Sequence, residues 1–181
     1  MKNIINEKRI NQIIAFVNSL KIQSKRFSEI IKEQNASVIK DFNQALTHSS
    51  DNKIINYEKL EFFGDAVLRL AASNFIEKKY PQMSVGERSE LRAQIVSDEW
   101  LTKLGKKINI EKVIIKGPKA LGDENSKNTI IGEATEALIG ALYKCFNSIQ
   151  EVNLWLDDIW EEEAETVSYT HLTLPTNKAV W

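Results

Sequence analysis

Apolar positions recur at helical spacing along most of this chain. In residues 4–20, Ile5, Ile10, Ile13, Ile14, Val17 and Leu20, with Arg9 among them, predict an amphipathic helix. A short helix is expected from Ser28 to Glu33 with Ser28 as its N-cap, and another from Ser37 into Leu46, carried by Val38, Phe42, Ala45 and Leu46. Thr47-His48-Ser49-Ser50 interrupts, and a polar loop at 51–53 precedes a longer helix, Asn56–Lys79. Lys78 and Lys79 suit the negative end of its dipole, and Pro81 stops it. Ser84-Val85-Gly86-Glu87 fits a capping box and opens a helix through Leu91, Ala93, Ile95 and Val96. Asp98 opens the next, through Trp100, Leu101 and Leu104 to near Gly105. Residues 108–118 contain β-branched residues and end in Gly-Pro, predicting a short strand or irregular turn, and 119–128 read as a polar loop. A long helix follows from Thr129 to Phe146, with Ala134, Leu138, Ala141, Leu142 and Cys145 as its stripe, and a last one from Ile149 to Glu165. The expected fold class is all-α, with one domain over 1–166. From Ser168 the periodicity is lost, so 167–181 read as an unstructured or foreign tail.

Composition adds mainly exclusions. The 181 residues are 43% hydrophobic and 27% charged with a net charge of −1, an ordinary globular profile in which any nucleic-acid surface must be a local patch. One cysteine, Cys145, excludes an intrachain disulfide framework and a cysteine-based zinc cluster, and its apolar context suggests a buried structural thiol. No apolar run approaches the roughly 20 residues of a membrane span, and residues 1–11 lack a signal-peptide pattern. These features lead to the expectation of a cytoplasmic protein.

The candidate chemistry lies on two of the helices. Glu58, Glu61 and Asp65 fall within an arc of about 60° on a helical wheel, with Leu60, Phe63, Val67, Leu70 and Ala71 centred about 150° away as a core-facing stripe. Like charges crowded on one arc repel. Glu133 and Glu136 share a face with Gly140 on the long later helix. Packed side by side, the two acidic faces would make an all-oxygen cluster suited to Mg²⁺ or Mn²⁺ and to phosphate chemistry. On spacing alone, two solvated helix faces remain the simpler reading, because glutamate is a common helix former. Gly64 and Ala66, small residues around Asp65, weigh against it by leaving room for a ligand or partner. Phe62 sits about 40° from Glu58, at the edge of the acidic face, and is either an interhelix contact or an exposed anchor for another chain. The acid-rich run Asp157–Glu163 reads as a solvated terminal face, and His48 as a packing residue of its loop.

Glu58-Lys59-Leu60-Glu61-Phe62-Phe63-Gly64-Asp65-Ala66-Val67-Leu68 resembles the signature motif of the ribonuclease III family. Three further stretches match in the family's order: Ala45–Ser50, the Glu87–Val96 helix, and Glu133-Ala134-Thr135-Glu136-Ala137-Leu138-Ile139-Gly140-Ala141. The resemblance covers about Ala45 to Trp160. It implies an all-α endonuclease domain that forms a homodimer and cuts double-stranded RNA with Mg²⁺, Mn²⁺ being a substitute, and it implies no organic cofactor and no membrane. Glu61, Asp65, Glu133 and Glu136 match the metal-holding positions. Asp65, Glu136 and the accessory acid Glu58 match the catalytic ones. Phe62 matches an aromatic that inserts into a socket on the other subunit. The expected products are 5′-phosphate and 3′-hydroxyl ends with short 3′ overhangs, and ribosomal RNA precursors are the family's default substrate.

Basic residues near the acids would contact RNA phosphates: Arg88, Arg92, Lys116 and Lys119 are the candidates, with Arg69 a weaker one. The chain departs from the family pattern at three positions. Glu133 stands where aspartate is usual, Tyr57 where asparagine often precedes the signature, and Val85 where an acid is usual before Gly86. The double-stranded-RNA-binding domain common in bacterial members is missing from this stretch, which suggests a fragment of a longer protein. Because all four metal positions are acidic, the enzyme reading is favoured over a non-catalytic dimeric module binding RNA or ribonucleoprotein, and over a purely structural helical dimer.

Overall fold

Polar side chains fix where most helices begin. In the computed structural model, which describes residues 5–121 and 126–171, Asn6 accepts the Arg9 amide at 2.9 Å to open α1 (Glu7–Ser19). Ser24 accepts the Phe27 amide to open α2 (Lys25–Lys32), and Asn35 that of Ser37 to open α3 (Ala36–Ala45). Such a cap is worth about 1 kcal/mol. The helix expected from Ser28 therefore starts a turn earlier, and the Ser28 hydroxyl donates back to the Ser24 carbonyl instead. Next come α4 (Glu58–Lys79), α5 (Val85–Ile95) and α6 (Asp98–Lys107). α5 has the reciprocal capping box of Ser84 and Glu87, and α6 is capped by Ser97. α6 ends at Lys107, close to the expected Gly105. That glycine is buried in the last turn, where a Cβ would stand 2.4 Å from the Thr135 hydroxyl.

Residues 108–118 form no strand. A 3₁₀ turn at Ile110–Lys112 and an isolated parallel bridge from Thr47 to Ile115 take their place. The bridge is stitched by the Ile115 amide to the Leu46 carbonyl (2.8 Å) and the His48 amide to the Ile115 carbonyl (2.9 Å). A short α7 (Pro118–Leu121) follows, then α8 (Lys127–Phe146) and α9 (Ile149–His171). α9 runs past its expected end at Glu165. Of the expected tail, residues 172–181 lie outside the described residues, as does most of the 119–128 loop beyond α7.

α8 is the central helix. From Ile130 to Leu142 every residue is buried except Glu133 and Glu136, which are half-buried. α4 packs along it with the two backbones in close contact. A Cβ on Gly64 would stand 2.0 Å from the Glu136 carbonyl oxygen, and one on Gly140 2.5 Å from that of Leu60. Gly64 thus leaves room for the α8 backbone, not for a ligand. This contact turns α4 about its axis. Its buried residues are Leu60, Gly64, Val67, Leu68, Ala71, Ala72, Phe75 and Ile76, while Phe63 and Leu70 of the expected stripe are 38% and 51% exposed.

α9 closes the core with Trp160, which is 2% exposed and stacks within 5.2 Å of Phe75 and 5.6 Å of Trp100. Its acid run is not merely solvated: Asp157 pairs with Lys78 (3.2 Å), Glu161 with Lys79 (3.0 Å) and Glu162 with Lys107 (2.6 Å). The last two pairs are exposed and add little energy each, and all three tie α9 to α4 and α6. Cys145 is half-buried and its thiol is pushed up to about 11 by burial, as befits a packing residue. Among the described residues no helix is long and apolar enough to cross a membrane.

One buried cation ties the amino-terminal helix to the rest. Arg9, 8% exposed, donates to the Val113 carbonyl (2.7 Å), the Leu46 carbonyl (3.2 Å), Asn43 Oδ1 (2.9 Å) and Gln12 Oε1 (2.7 Å). Burial pulls its pKa down to about 10, still far above neutrality, so the guanidinium stays charged and its donors are used on carbonyl oxygens of the backbone and of two side-chain amides.

Candidate active site

The Gly64–Gly140 crossing sets the acidic faces of α4 and α8 beside one another. Glu61 and Asp65 come from α4, Glu133 and Glu136 from α8, and all four are half-buried. Glu58, the first residue of α4, is exposed at the rim, its amide held by Asn56 Oδ1 at 3.0 Å.

The electrostatics record the approach. Burial, then the charges of Glu133 and Glu58, push Glu61 up to about 7. Burial, then Asp65, Glu61 and Asp98, push Glu136 up to the same range, with Arg69 opposing. Carboxylates that raise one another this way form a negative cluster short of cations. The reading of two independent solvated faces therefore does not hold.

Arg69 and Tyr57 are partners of the cluster. Arg69 Nε donates to Asp65 Oδ1 at 2.6 Å, one turn along α4. The Tyr57 hydroxyl donates to Glu133 Oε2 at 2.5 Å. Tyr57 is 1% exposed, and burial together with the neighbouring carboxylates drives its pKa upward, so it remains a donor. As the side chains stand, no three carboxylates, histidines or cysteines among the described residues are close enough to hold one ion. The donor set still suits a hard divalent cation: it is all oxygen, drawn from two rigidly packed helices, and its mutual repulsion is what such an ion relieves.

A cavity of about 760 Å³ opens beside the cluster, lined by Glu61, Glu133 and Glu136 and by the α6 residues Asp98, Thr102, Lys103 and Lys106, among others. Sequence reasoning missed this α6 wall. The signal available was the charged i, i+5 and i+8 positions of α6 (Asp98, Lys103 and Lys106), which read as ordinary surface. It also missed Tyr57 as a partner of Glu133.

The expected RNA contacts are dispersed. Arg88 and Arg92 line a separate cavity of about 250 Å³ between α4 and α5, which shares no lining residue with the first. Arg88 is committed to Glu77 and to the carbonyls of Met83 (2.9 Å) and Pro81 (2.8 Å), fastening the α4–α5 turn. Arg92 is exposed, with one bond to Ser73 Oγ at 3.1 Å. Lys116 is half-buried, and the Lys119 side chain lies outside the described residues. Val85, where an acid was expected, is 81% exposed beside Arg88.

Phe62 is 86% exposed, so of its two readings the interhelix contact fails within this chain. With Ala66 and Leu70 it makes an exposed apolar face of α4, at whose edge Phe63 packs edge-on against Tyr143 of α8 at 5.5 Å between ring centroids. His48 serves its loop: Nδ1 meets the Ser50 hydroxyl at 2.7 Å and accepts the Ser50 amide at 3.0 Å, and its ring lies edge-on to Tyr57.

Residues 40–153 match the family model described as Ribonuclease-III-like. The chain is 47% identical over 165 residues to Ribonuclease 3 of Prochlorococcus marinus, covering 91% of this chain and 66% of the relative. It is 41% identical over 114 residues to Ribonuclease 3 2 of Synechocystis, covering 63% and 47%. The chain thus spans about half to two thirds of the length of these curated relatives. Among solved structures, it superposes with a TM-score of 0.67 and 26% identity on the nuclease domain of ribonuclease III from Campylobacter jejuni, reported for structural flexibility in the region involved in dimer formation, covering 87% of this chain and 97% of that one.

Proposed function

The chain belongs to the ribonuclease III family, and on that premise we propose that it is a cytoplasmic, double-stranded-RNA-specific endoribonuclease. It would act as a homodimer in RNA processing, ribosomal RNA precursors included, and leave 5′-phosphate and 3′-hydroxyl ends. The observation that carries this reading is the meeting of Glu61 and Asp65 with Glu133 and Glu136 across the α4–α8 crossing, where burial and mutual repulsion raise Glu61 and Glu136 towards neutrality.

Glu61, Asp65, Glu133 and Glu136 would hold Mg²⁺, with Mn²⁺ as a substitute. When bound, the ion supplies Lewis-acid polarisation of a phosphoryl oxygen and lowers the pKa of a coordinated water. The chain's own residues do the rest. The packed helices fix the carboxylates, Glu58 stands as an accessory acid at the rim, and Arg69 is the counter-charge that Asp65 exchanges. Lys103 and Lys106 border the same cavity and suit RNA phosphates. Arg92, Lys116 and Lys119 remain proposed contacts further along the duplex. Arg88 is the weakest of that set, because its guanidinium already holds the α4–α5 turn. The exposed Phe62 face is the proposed dimer surface.

The test is incubation of the purified protein with a long RNA duplex and Mg²⁺, followed by end-group analysis. Chelator-sensitive cleavage to 5′-phosphate ends supports the reading. Duplex binding without cleavage would move the protein to the non-catalytic RNA-binding class.

A further inference from the structure

The two departures at the site, Tyr57 for asparagine and Glu133 for aspartate, touch each other. They are 76 positions apart, yet the Tyr57 hydroxyl donates to Glu133 Oε2 at 2.5 Å. We propose that Tyr57 is a positioning residue for divalent-cation binding: its phenol fixes one oxygen of Glu133, takes up the additional methylene of that side chain, and leaves the other oxygen for the ion. The inference rests on the metal reading of the cluster given above.

The phenol is itself well anchored. Its ring is 1% exposed and contacts His48 edge-on at 5.4 Å between centroids. Its amide donates to the Thr47 carbonyl at 2.9 Å, and its carbonyl accepts the amides of Leu60 (2.8 Å) and Glu61 (2.9 Å). Tyr57 therefore stands at the start of α4 and is tied by backbone to Glu61 and by side chain to Glu133, two of the four proposed ligands. Glutamate has one more rotatable bond than aspartate, and freezing it on binding an ion costs affinity. A bond made beforehand removes much of that loss. A shorter carboxylate at 133 would fall away from a hydroxyl now at hydrogen-bond distance, and an asparagine at 57 could not span to α8 as a phenol does. The two residues make sense as a pair and neither does alone.

The test measures Mn²⁺ binding by calorimetry or electron paramagnetic resonance, without RNA, on the wild type, Tyr57→Phe, Glu133→Asp and the double variant. Circular dichroism and thermal unfolding establish that each is folded. Tyr57→Phe keeps the ring and removes only the hydroxyl. Mn²⁺ affinity should fall about 10- to 100-fold, the range typical of residues that orient a ligand, and the same change should matter less than about twofold in the Glu133→Asp background. Wild-type affinity in Tyr57→Phe, or an equal loss in both backgrounds, would overturn the pairing, and if Glu133→Asp binds no Mn²⁺ the comparison of wild type with Tyr57→Phe decides alone. Wild-type protein that fails to bind millimolar Mn²⁺ would sink the metal reading itself, an outcome distinct from either.

Discussion

Gly64 of α4 lies directly against the backbone of Glu136 on α8, with space for a Cβ closed to 2.0 Å by that carbonyl oxygen. The contact is what brings the acids of the two helices together. Gly64→Ala should force the helices apart and destabilise the fold by about 1–3 kcal/mol, the usual penalty of overpacking, because the obstacle is backbone that cannot rotate away. Urea unfolding measures this directly, and a variant as stable as wild type would show that the crossing is looser than described.

Asp65 carries an ion pair to Arg69 that is exposed on both sides, so its loss is nearly neutral for stability. Asp65→Asn should nonetheless abolish Mg²⁺-dependent cleavage, by more than the roughly 100-fold upper range for residues that only orient a ligand. Unchanged circular dichroism and unchanged dimerisation should accompany the loss. Full activity in this variant would remove Asp65 from the site.

Glu61 and Glu136 are both pushed up to about 7 from an ordinary 4.5. Between those values the folded chain holds protons that the unfolded chain has released, so stability falls as pH rises through this window. In chelator, the thermal midpoint should therefore decline from pH 5 to pH 7.5. The Glu61→Gln/Glu136→Gln variant should show a shallower decline, and Mg²⁺ should raise the wild-type midpoint more at pH 7.5 than at pH 5. A slope identical in the double variant would contradict the assignment.

Phe62 contributes nothing to the core of its own chain, being 86% exposed. Phe62→Ala should leave monomer stability within about 0.5 kcal/mol while raising the dimer dissociation constant by about 30-fold or more, as expected of a buried aromatic anchor. Sedimentation equilibrium across a concentration series reads both states. A dimer as tight as wild type would place the interface elsewhere.

The helices and the acids were legible in the sequence because both are written in spacing. Periodicity found every long helix, and i, i+3 and i+7 placed three carboxylates on one face. What spacing could not supply was the angle at which a neighbour approaches. The wheel put the core of α4 opposite its acids, whereas the glycine crossing rotates it roughly a quarter turn towards Gly64, which half-buries Glu61 and exposes Phe63 and Leu70. Gly105 marked the end of α6 correctly, since a helix interior disfavours glycine, but the close packing of Thr135 and Ile131 against it was not written in spacing. Ser24 and Ser28 are equally good caps by composition, and only the chain's path chooses between them. Tyr57 was visible as a departure, but its bond to Glu133 joins residues that meet only in the folded chain.

Arg9 extends the site's dependence well beyond its own residues. The Leu46 carbonyl it holds also accepts Ile115, whose carbonyl accepts His48; the adjoining Thr47 carbonyl accepts Tyr57, and Tyr57 reaches Glu133. The residues matched by the family model begin at 40, after α1 has ended. A fragment trimmed to that match would retain every carboxylate of the candidate site and lose the guanidinium on which this run of bonds is built. For this chain, the boundary of the family-model match falls inside the boundary of mechanical support, and the amino-terminal helix belongs to the working part of the molecule.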